Sequence, residues 1–513
     1  MPLQWSSSRQ TMNYFTSADI RRIEKEILDN FAVSESLLME NAGSAAADVI
    51  TNRFPEGDIL VITGPGKNGG DGYVAARHLA ARGRRVQILS AVPAGSLKGI
   101  TEENYLLAVQ CEIPVSFSSV LSDEEIAGNI RKADILVDSL LGIGSEGPLR
   151  GEIARLCHHL KEAGKVVALD VPTGIDPDSG QADKHCGGAA MTITMIAPKT
   201  GIATGDGRKL AGEIVVAGVG FPLPRSAAPR ILSFTAANVK PFLPQFPEDI
   251  HKGVRGGAMV IGGCAAYRGA PLLSLCGFLR AGGGLVILFS EEFSCAPCSA
   301  FLPEAILENN LFSKSDGEIL STLSAWSEKI ETVVLGPGIG RSKRAGEICS
   351  LVLSAWEGNI ILDGDGLFWL SESGERPRRE NMLLTPHEGE AARLLGVLPE
   401  VVRKDRIVSA RRIAEEWGPV LLKGSGTLCD DGRRTYLVTE GNRALAVPGS
   451  GDVLAGVIAA FLSAGTPLLE SAALGAYVHG KTARSLAVWK GCDGILAREI
   501  ADEIPGILKE MRD

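Results

Sequence analysis

The 513-residue chain is predicted to fold as two α/β domains. Its length exceeds what one ordinary hydrophobic core supports, which favours two domains. Short apolar runs alternate with helical patterns in both halves, a layout typical of mostly parallel sheets with helices on both faces. Between the halves, residues 221–230 are rich in proline and poor in helix and strand formers, which indicates a linker. We therefore predict a first domain over residues 1–222 and a second over residues 228–513.

The first half begins with two predicted helices. Ile20, Ile23, Ile27 and Phe31 recur at helical spacing, which predicts a helix over residues 17–31 with Ser17 or Asp19 as its cap. A second helix is predicted over residues 35–52. Apolar runs then predict strands at residues 59–63, 86–90, 135–138, 166–170, 191–196 and 213–217. Helical patterns between them include residues 73–82 and 153–163.

The second half repeats the alternation of strand and helix without repeating the sequence of the first. Its predicted strands are residues 258–262, 284–289, 333–335, 359–363, 382–385, 420–423 and 434–438. Because no shared period relates the halves, we expect two different α/β units.

Composition excludes several classes of function. A net charge of −9 argues against general nucleic-acid binding. Apolar stretches such as residues 453–464 are shorter than the roughly 18–20 residues that span a bilayer, and the N-terminus lacks a signal-peptide layout. We expect a cytoplasmic homo-oligomer whose ten cysteines are reduced. The lone pair Cys295 and Cys298 has no companion pair, so we expect neither a metal nor a redox role for it.

A first candidate site follows the strand at residues 59–63. The glycine-rich string at residues 64–72 fits neither the Walker nor the dinucleotide fingerprint, but it carries Asn68 and Asp71. Two later strand ends add Asp138 and Asp170, the second followed by Thr173. If these strands are neighbours, Asn68, Asp138 and Thr173 can offer oxygens to one hard cation. The alternative is that the two aspartates only cap turns.

A second candidate site collects at the strand ends of the second half. Gly449, Ser450, Gly451 and Asp452 run directly into an apolar helix, an arrangement suited to phosphoryl transfer onto a hydroxyl. The turn can face a phosphate while Asp452 accepts the hydroxyl proton. Other strand ends carry the string 336–340, Asp363, Asp365, His387 and Lys423. Singly, these are a tight turn, helix caps, a loop histidine and a solvated lysine; together they favour a site.

The first half resembles the NAD(P)HX epimerase family. The resemblance covers residues 10–220 and rests on Met-Glu-Asn-Ala-Gly at 39–43, the string at 64–72, Val-Asp at 137–138, Asp-Val-Pro-Thr-Gly at 170–174 and Ala-Pro-Lys at 197–199. It implies a Rossmann-like fold and interconversion of the R and S forms of hydrated NADH and NADPH (NADHX and NADPHX) at C6.

The same resemblance implies site residues for the epimerase half. A potassium ion would be held by Asn68, Asp138 and Thr173. The substrate would contact Lys67, Asn68, Gly69, Gly70, Asp71, Gly142, Ile143, Gly144, Ser145, Glu146, Gly147, Pro148 and Asp170.

Two positions of the epimerase half depart from the family pattern. The family usually has Asn at the position of Lys67 and Ser at that of Thr173. Threonine keeps the hydroxyl, whereas Lys67 places a positive charge beside an anionic substrate. We expect Asp170 to transfer the proton, because epimerisation at a carbinolamine carbon needs acid–base help.

The second half, residues 228–513, resembles the ADP-dependent NAD(P)HX dehydratases of the ribokinase-like superfamily. His-Lys-Gly at 251–253, Gly-Pro-Gly-Ile-Gly at 336–340, Thr-Pro-His-Glu-Gly-Glu at 385–390, the loop at 423–427 and Gly-Ser-Gly-Asp at 449–452 occur in family order. Gly364 and Gly366 stand where the family often has Ala, and Pro448 is uncommon. No functional side chain is lost.

This resemblance implies that ADP donates its terminal phosphate, with Mg²⁺ assisting, to release AMP, phosphate and NAD(P)H. Asp452 is expected to be the catalytic base. The substrate would contact Ala270, Gly338, His387 and Asp452. The nucleotide would contact Lys423, Gly424, Ser425, Gly426, Thr427 and Gly451.

Two other functions remain open from the residues alone. A small-molecule kinase would share the Gly-x-Gly-Asp turn but leaves residues 10–220 unexplained. A non-enzymatic nucleotide sensor would bind without turnover. We expect small-molecule partners only, NADHX, NADPHX and ADP, with no nucleic acid and no membrane.

Overall fold

The structure is a computed structural model that describes residues 12–144, 147–161, 163–247, 249–250, 252–374, 376 and 378–513. These residues divide into two compact units, Met12–Ile231 and Leu232–Asp513. No helix or strand lies between Ala217 and Ile231. Among the described helices, none has the length and apolar character needed to cross a membrane.

The first unit alternates strands and helices. Its strands are β1 (Asn13–Tyr14), β2 (Ile59–Thr63), β3 (Val86–Ser90), β4 (Val115–Phe117), β5 (Ile135–Ser139), β6 (Val166–Leu169), β7 (Met191–Met195) and β8 (Glu213–Ala217). Its helices are α1 (Ser17–Phe31), α2 (Glu35–Arg53), α3 (Lys67–Ala81), α4 (Gly99–Gln110), α5 (Asp123–Lys132), α6 (Gly151–Leu160) and α7 (Gly205–Leu210).

The sheet of the first unit is entirely parallel, in the order β4-β3-β2-β5-β6-β7-β8. The fold class and the six predicted strands are confirmed. The two-residue β1 was missed, as was β4, which is short and only partly buried. Asp170 and Ile196 lie beyond their strands, since each has a positive φ, 68° and 65°, that ends the extended backbone.

Helix α1 has the predicted bounds but a different cap, and α3 starts earlier than predicted. The cap of α1 is Thr16, whose hydroxyl accepts the backbone N–H of Asp19 while the Asp19 carboxylate accepts the N–H of Thr16. Helix α3 begins at Lys67 and not at residue 73, so the glycine string forms its first turn. Gly69 permits this path, because a Cβ there would lie 2.0 Å from the carbonyl oxygen of Gly64.

The second unit has more elements. Its strands are β9 (Ile231–Phe234), β10 (Gly257–Ile261), β11 (Leu285–Phe289), β12 (Ile306–Glu308), β13 (Thr332–Leu335), β14 (Asn359–Leu362), β15 (Met382–Leu384), β16 (Val420–Leu422), β17 (Thr427–Asp430) and β18 (Thr435–Val438). Its helices are α8 (Ala236–Val239), α9 (Ala270–Arg280), α10 (Glu292–Phe301), α11 (Asp316–Trp326), α12 (Lys343–Ala355), α13 (Asp365–Glu372), α14 (Glu388–Leu395), α15 (Pro399–Lys404), α16 (Arg406–Glu416), α17 (Ser450–Ser463), α18 (Leu468–Lys490) and α19 (Ala497–Arg512).

Strands of the second unit pair in the order β9-β18-β17-β16-β15-β14-β13-β10-β11-β12. Pairing is parallel except on either side of β17, where it is antiparallel. The predicted strands are confirmed, while β9, β12 and β17 were missed. Helix α17 is buried almost all round, which explains its uninterrupted apolar sequence, and it packs in the core against the sheet and α9.

Candidate active sites

The first unit contains a cavity of about 590 Å³ at the carboxyl end of its sheet. Strands β2, β5 and β6 are neighbours, as the sequence argument required, so the loops that follow them meet there. Lining residues that were predicted to contact substrate are Lys67, Asn68, Asp71, Gly142, Ile143, Gly144 and Asp170. Gly69, Gly70, Gly147 and Pro148 lie outside the lining, while Ser145 and Glu146 lie outside the described residues.

Asp138 and Thr173 are joined directly beside this cavity. The Thr173 hydroxyl donates to Asp138 Oδ1 at 2.7 Å, and its backbone N–H donates to Oδ2 at 2.8 Å. Asp138 also accepts the backbone N–H of Leu140 at 3.2 Å, so it does cap the following turn. Burial raises the pKa of the Asp138 carboxyl, although its hydrogen bonds oppose that shift.

Asn68 points an unused oxygen into the same region. Its Nδ2 donates to the carbonyl oxygens of Leu141 at 2.9 Å and Leu169 at 3.2 Å. Its Oδ1 is buried and has no hydrogen-bond partner among the described residues. An orphaned buried oxygen is rare in folded proteins. A cation is one partner that would satisfy it.

Asp170 is held by a buried lysine. Lys199, whose side chain is only 1% exposed, contacts Asp170 Oδ1. The remaining donors of Lys199 reach the Thr194 hydroxyl at 3.0 Å and the Met195 carbonyl at 2.9 Å. Asp170 therefore does not merely cap a turn. Nearby, burial and then the Asp170 charge raise the pKa of Asp71 well above its usual range.

Lys67 lies at the rim of the cavity between two acids. Its ammonium is 3.4 Å from Glu24 and 3.3 Å from Glu35, and its side chain is 56% exposed. Burial alone would lower the Lys67 pKa, but the two carboxylates outweigh it and raise the pKa. The positive charge that departs from the family pattern is thus balanced by charges of the same unit.

In the second unit a charged cluster forms where β14 and β16 end. Lys423 Nζ donates to Asp363 Oδ1, which also accepts the Thr385 hydroxyl at 2.8 Å. Lys423 also lies against the start of α17, because a Cβ on Gly451 would be 3.1 Å from its Nζ. This geometry contradicts two alternative interpretations, that Asp363 only caps a helix and that Lys423 is a solvated charge.

Asp452, in the first turn of α17, completes the cluster. Burial, followed by repulsion from Asp363 and Glu390, raises the pKa of Asp452 to about 7, although Lys423 opposes the shift. A carboxyl with a pKa near the working pH is well suited to general-base catalysis. Gly449 precedes the helix as its cap and makes no side-chain hydrogen bond. The Ser450 N–H donates to the Val447 carbonyl at 3.3 Å, so that group of the turn is already engaged.

The other predicted substrate contacts of the second unit lie in the 336–340 loop, at the start of α9 and at the start of α14. Gly338 and Ala270 adjoin, because a Cβ on Gly338 would lie 3.0 Å from that of Ala270. His387 is the cap of α14: its Nδ1 accepts the backbone N–H groups of Gly389 at 3.0 Å and Glu390 at 3.3 Å. Asp365 accepts the N–H of Gly340 at 3.0 Å, so it secures the 336–340 loop.

The loop at residues 423–427 joins β16 to the start of β17. The Lys423 N–H donates to the Pro386 carbonyl at 2.9 Å, which ties this loop to the one that carries His387. Gly424, Ser425 and Gly426 form its tip, and the Thr427 hydroxyl donates back to Gly424 at 3.3 Å. Of the residues predicted to bind nucleotide, Lys423 lies beside Gly451.

Four residues with evident roles at the sites were missed. Lys199 follows β7 at the same sheet edge as Asp170, a signal that was available in the sequence. Glu390 was quoted only as part of a motif. Arg406 lies in a helix among other arginines, so the sequence does not single it out. His479 is buried in the middle of a helix, with its Nε2 3.3 Å from the Ser450 hydroxyl, and the sequence does not indicate this contact.

Comparisons with known proteins match both units. A family described as YjeF-related protein N-terminus matches residues 35–201, and one described as NAD(P)H-hydrate dehydratase matches residues 258–506. Among solved structures, a ribokinase-like superfamily protein of Enterococcus faecalis V583 has a TM-score of 0.50 and 26% identity. That match covers 55% of this chain and 96% of the other, so the second unit has a ribokinase-like fold.

Curated relatives match nearly the whole chain. The bifunctional NAD(P)H-hydrate repair enzyme of Thermanaerovibrio acidaminovorans is 38% identical over 94% of this chain and 96% of its own length. Its counterpart in Thermofilum pendens is 33% identical over 97% of this chain and 96% of its own length. The chain therefore belongs to the family of bifunctional NAD(P)H-hydrate repair enzymes.

Proposed function

We propose that this chain repairs hydrated nicotinamide cofactors with two active sites, one in each unit. The first site interconverts R- and S-NAD(P)HX, and the second dehydrates S-NAD(P)HX with ADP to give NAD(P)H, AMP and phosphate. The observation that carries the proposal is the raised pKa of Asp452 beside Lys423 and the glycine turn of α17. A dehydratase that acts on one epimer needs an epimerase to reach the rest of the damaged pool.

At the first site, Asp170 is the group that we propose moves the proton. Lys199 holds the carboxylate in place and keeps its charge balanced inside the unit. The predicted substrate contacts that line the cavity would then surround the hydrated ring: Lys67, Asn68, Asp71, Gly142, Ile143 and Gly144.

We further propose a potassium ion at Asn68, Asp138 and Thr173. The fit rests on the buried, partnerless Oδ1 of Asn68 and on the buried Asp138 carboxylate beside it. All three side chains offer oxygen ligands, as a hard cation requires. When bound, the ion would supply positive charge to the anionic part of the substrate.

At the second site, Asp452 accepts the proton of the C6 hydroxyl, whose oxygen attacks the terminal phosphorus of ADP. AMP leaves, and the hydroxyl becomes a phosphate ester. The C6–O bond then breaks with help from the ring-nitrogen lone pair, phosphate departs with that oxygen, and loss of a ring proton gives NAD(P)H. Lys423 and the N–H groups at the start of α17 stabilise the developing charge.

Mg²⁺ fits the charge of this second site. Asp363, Glu390 and Asp452 share one lysine, so the cluster is net negative. In the described part of the chain, no group of three or more His, Cys, Asp or Glu forms a ready metal cage. That suits Mg²⁺, which commonly uses one or two carboxylates together with substrate phosphates and water. Bound there, it would offset the charge of the nucleotide phosphates.

Three finer properties are proposals as well. We propose ADP as the nucleotide on the strength of the resemblance, and a homo-oligomeric state. We also propose a cytoplasmic location, which suits the ten free cysteines.

The direct test supplies a mixture of R- and S-NADHX with ADP, Mg²⁺ and K⁺ and follows the absorbance of regenerated NADH. Recovery of the whole pool faster than spontaneous epimerisation is expected. Recovery that stops near half would contradict the first site. A stable phosphorylated product would instead favour a small-molecule kinase, and tight ADP binding without turnover would favour a sensor.

A further inference from the structure

A buried guanidinium lies against the 423–427 loop. Arg406, near the start of α16, is only 3% exposed in its side chain. Its Nη2 donates to three backbone carbonyls, those of Leu422 at 3.3 Å, Lys423 at 3.1 Å and Gly426 at 3.3 Å. One side chain thus holds both ends of the turn that we propose binds the nucleotide.

The other terminal nitrogen of Arg406 reaches a different loop. Nη1 donates to Glu388 Oε1, and Glu388 is the first residue of α14, directly after His387. The second oxygen of Glu388 is 3.3 Å from Arg403, so the carboxylate is fixed from two sides. Arg406 therefore connects the proposed nucleotide loop with the proposed substrate histidine.

The path of the loop is matched to this guanidinium. Gly424 has φ of 148°, and a Cβ there would lie 2.5 Å from Arg406 Nη1. A larger residue would force the loop off its anchor. Because Arg406 is buried, removing its charge-assisted hydrogen bonds would leave three backbone carbonyls without this donor and leave Glu388 with Arg403 alone.

We propose that Arg406 is a positioning residue that shapes the nucleotide loop and, through Glu388, couples ADP binding to substrate binding at His387. The inference rests on the proposed dehydratase function. Arg406 touches neither reacting group, so it should act on binding and on coupling more than on the chemical step.

Arg406→Lys tests the first part. A lysine keeps the charge but cannot fork between three carbonyls and Glu388. Losing one or two charge-assisted hydrogen bonds should raise KM for ADP about tenfold while kcat stays within about threefold. Arg412→Lys is the matched control, since Arg412 lies on the same helix in an exposed pair with Glu416 at 3.4 Å and is 44% exposed. A kcat for dehydration that stays within about threefold of wild type reports that the second unit still folds, because the epimerase site lies in the other unit.

Coupling is tested by measuring KM for ADP at low and at saturating S-NADHX. In Arg406→Lys and in Glu388→Gln we expect the ratio of the two KM values to move toward one. The double variant should change this ratio little more than either single variant, because the two residues act through one linkage. An unchanged KM and ratio in Arg406→Lys, with an active wild type, would overturn this inference alone. A wild type without ADP-dependent NADH formation would overturn the proposed function itself.

Discussion

Each unit places an aspartate at the carboxyl edge of its mostly parallel sheet. The charges around the two aspartates differ in sign: a lysine dominates at Asp170 and carboxylates at Asp452. Asp170 is paired directly with the buried Lys199, which also acts on the neighbouring Asp71. Among the described residues, Asp452 has no such direct partner: it faces Asp363 and Glu390, while Lys423 is paired with Asp363. The surroundings of a carboxyl decide its role. The comparison teaches that one sheet edge can hold a paired, fixed acid–base group in one unit and a poised base in the other.

Asp452→Asn should have the largest effect, because it removes the proposed base of the second unit and leaves the first unit untouched. General-base catalysis contributes roughly 10²–10⁴-fold, so we expect kcat for dehydration to fall by about 10³-fold. Epimerisation by the same chain, measured by following loss of one epimer without ADP, should not change. Equal loss of both activities would show that the sites are not independent.

Asp170→Asn should produce the reciprocal defect. The positive φ of this position suits Asn, so the backbone is retained. We expect epimerisation to slow by about 10²-fold, because proton transfer loses its carboxylate. ADP-dependent conversion of pure S-NADHX serves as the control and should stay at the wild-type rate. A wild-type epimerase rate in the variant would remove Asp170 from the mechanism.

The pH dependence of dehydration tests whether the surroundings of Asp452 raise its pKa. Asp452 must be unprotonated to accept a proton, and its pKa is raised to about 7. The value of kcat/KM should therefore fall about tenfold per pH unit below 7 and level off above it. Residual activity of Asp452→Asn should lack this acidic limb. A limb near pH 4 in the wild type would mean that neither burial nor the neighbouring carboxylates raise the pKa of Asp452.

The smallest effect is expected from Lys67→Asn, which restores the family residue. Lys67 is exposed and already paired with Glu24 and Glu35. Exposed ion pairs contribute about 0–1 kcal/mol, so KM of the epimerase for NADHX should change less than about fivefold, with kcat unchanged. A loss larger than tenfold would indicate that Lys67 binds the substrate directly.

The sequence predicted the sheets well because buried parallel strands read as apolar runs. It also placed the polar strand ends correctly, since Asp138, Asp363 and Lys423 follow from where those runs stop. Strands β4 and β12 were missed because each is short, includes a polar residue and is only partly buried, whereas the equally short β15 and β16 are wholly apolar and buried. The start of α3 was misplaced because glycines read as a loop, although close packing at Gly69 makes them helical.

Long-range pairing was beyond the sequence. Nothing near Arg406 indicates that its guanidinium would meet carbonyls of a loop sixteen to twenty residues away. Lys199 belongs to the Ala-Pro-Lys motif at 197–199, but its burial against Asp170 depends on β6 and β7 being neighbours in the sheet. The raised pKa of Asp452 likewise arises from burial and then from Asp363 and Glu390, which other elements of the second unit bring to it.

The most direct test of two independent sites in one chain is complementation between the two asparagine variants. Asp170→Asn and Asp452→Asn are assayed separately and then mixed, with R- and S-NADHX, ADP, Mg²⁺ and K⁺. We predict that Asp170→Asn alone recovers the S pool rapidly and the rest at the spontaneous rate, that Asp452→Asn alone recovers almost none, and that the mixture recovers the whole pool at close to the wild-type rate. A mixture no faster than Asp170→Asn alone would contradict the account.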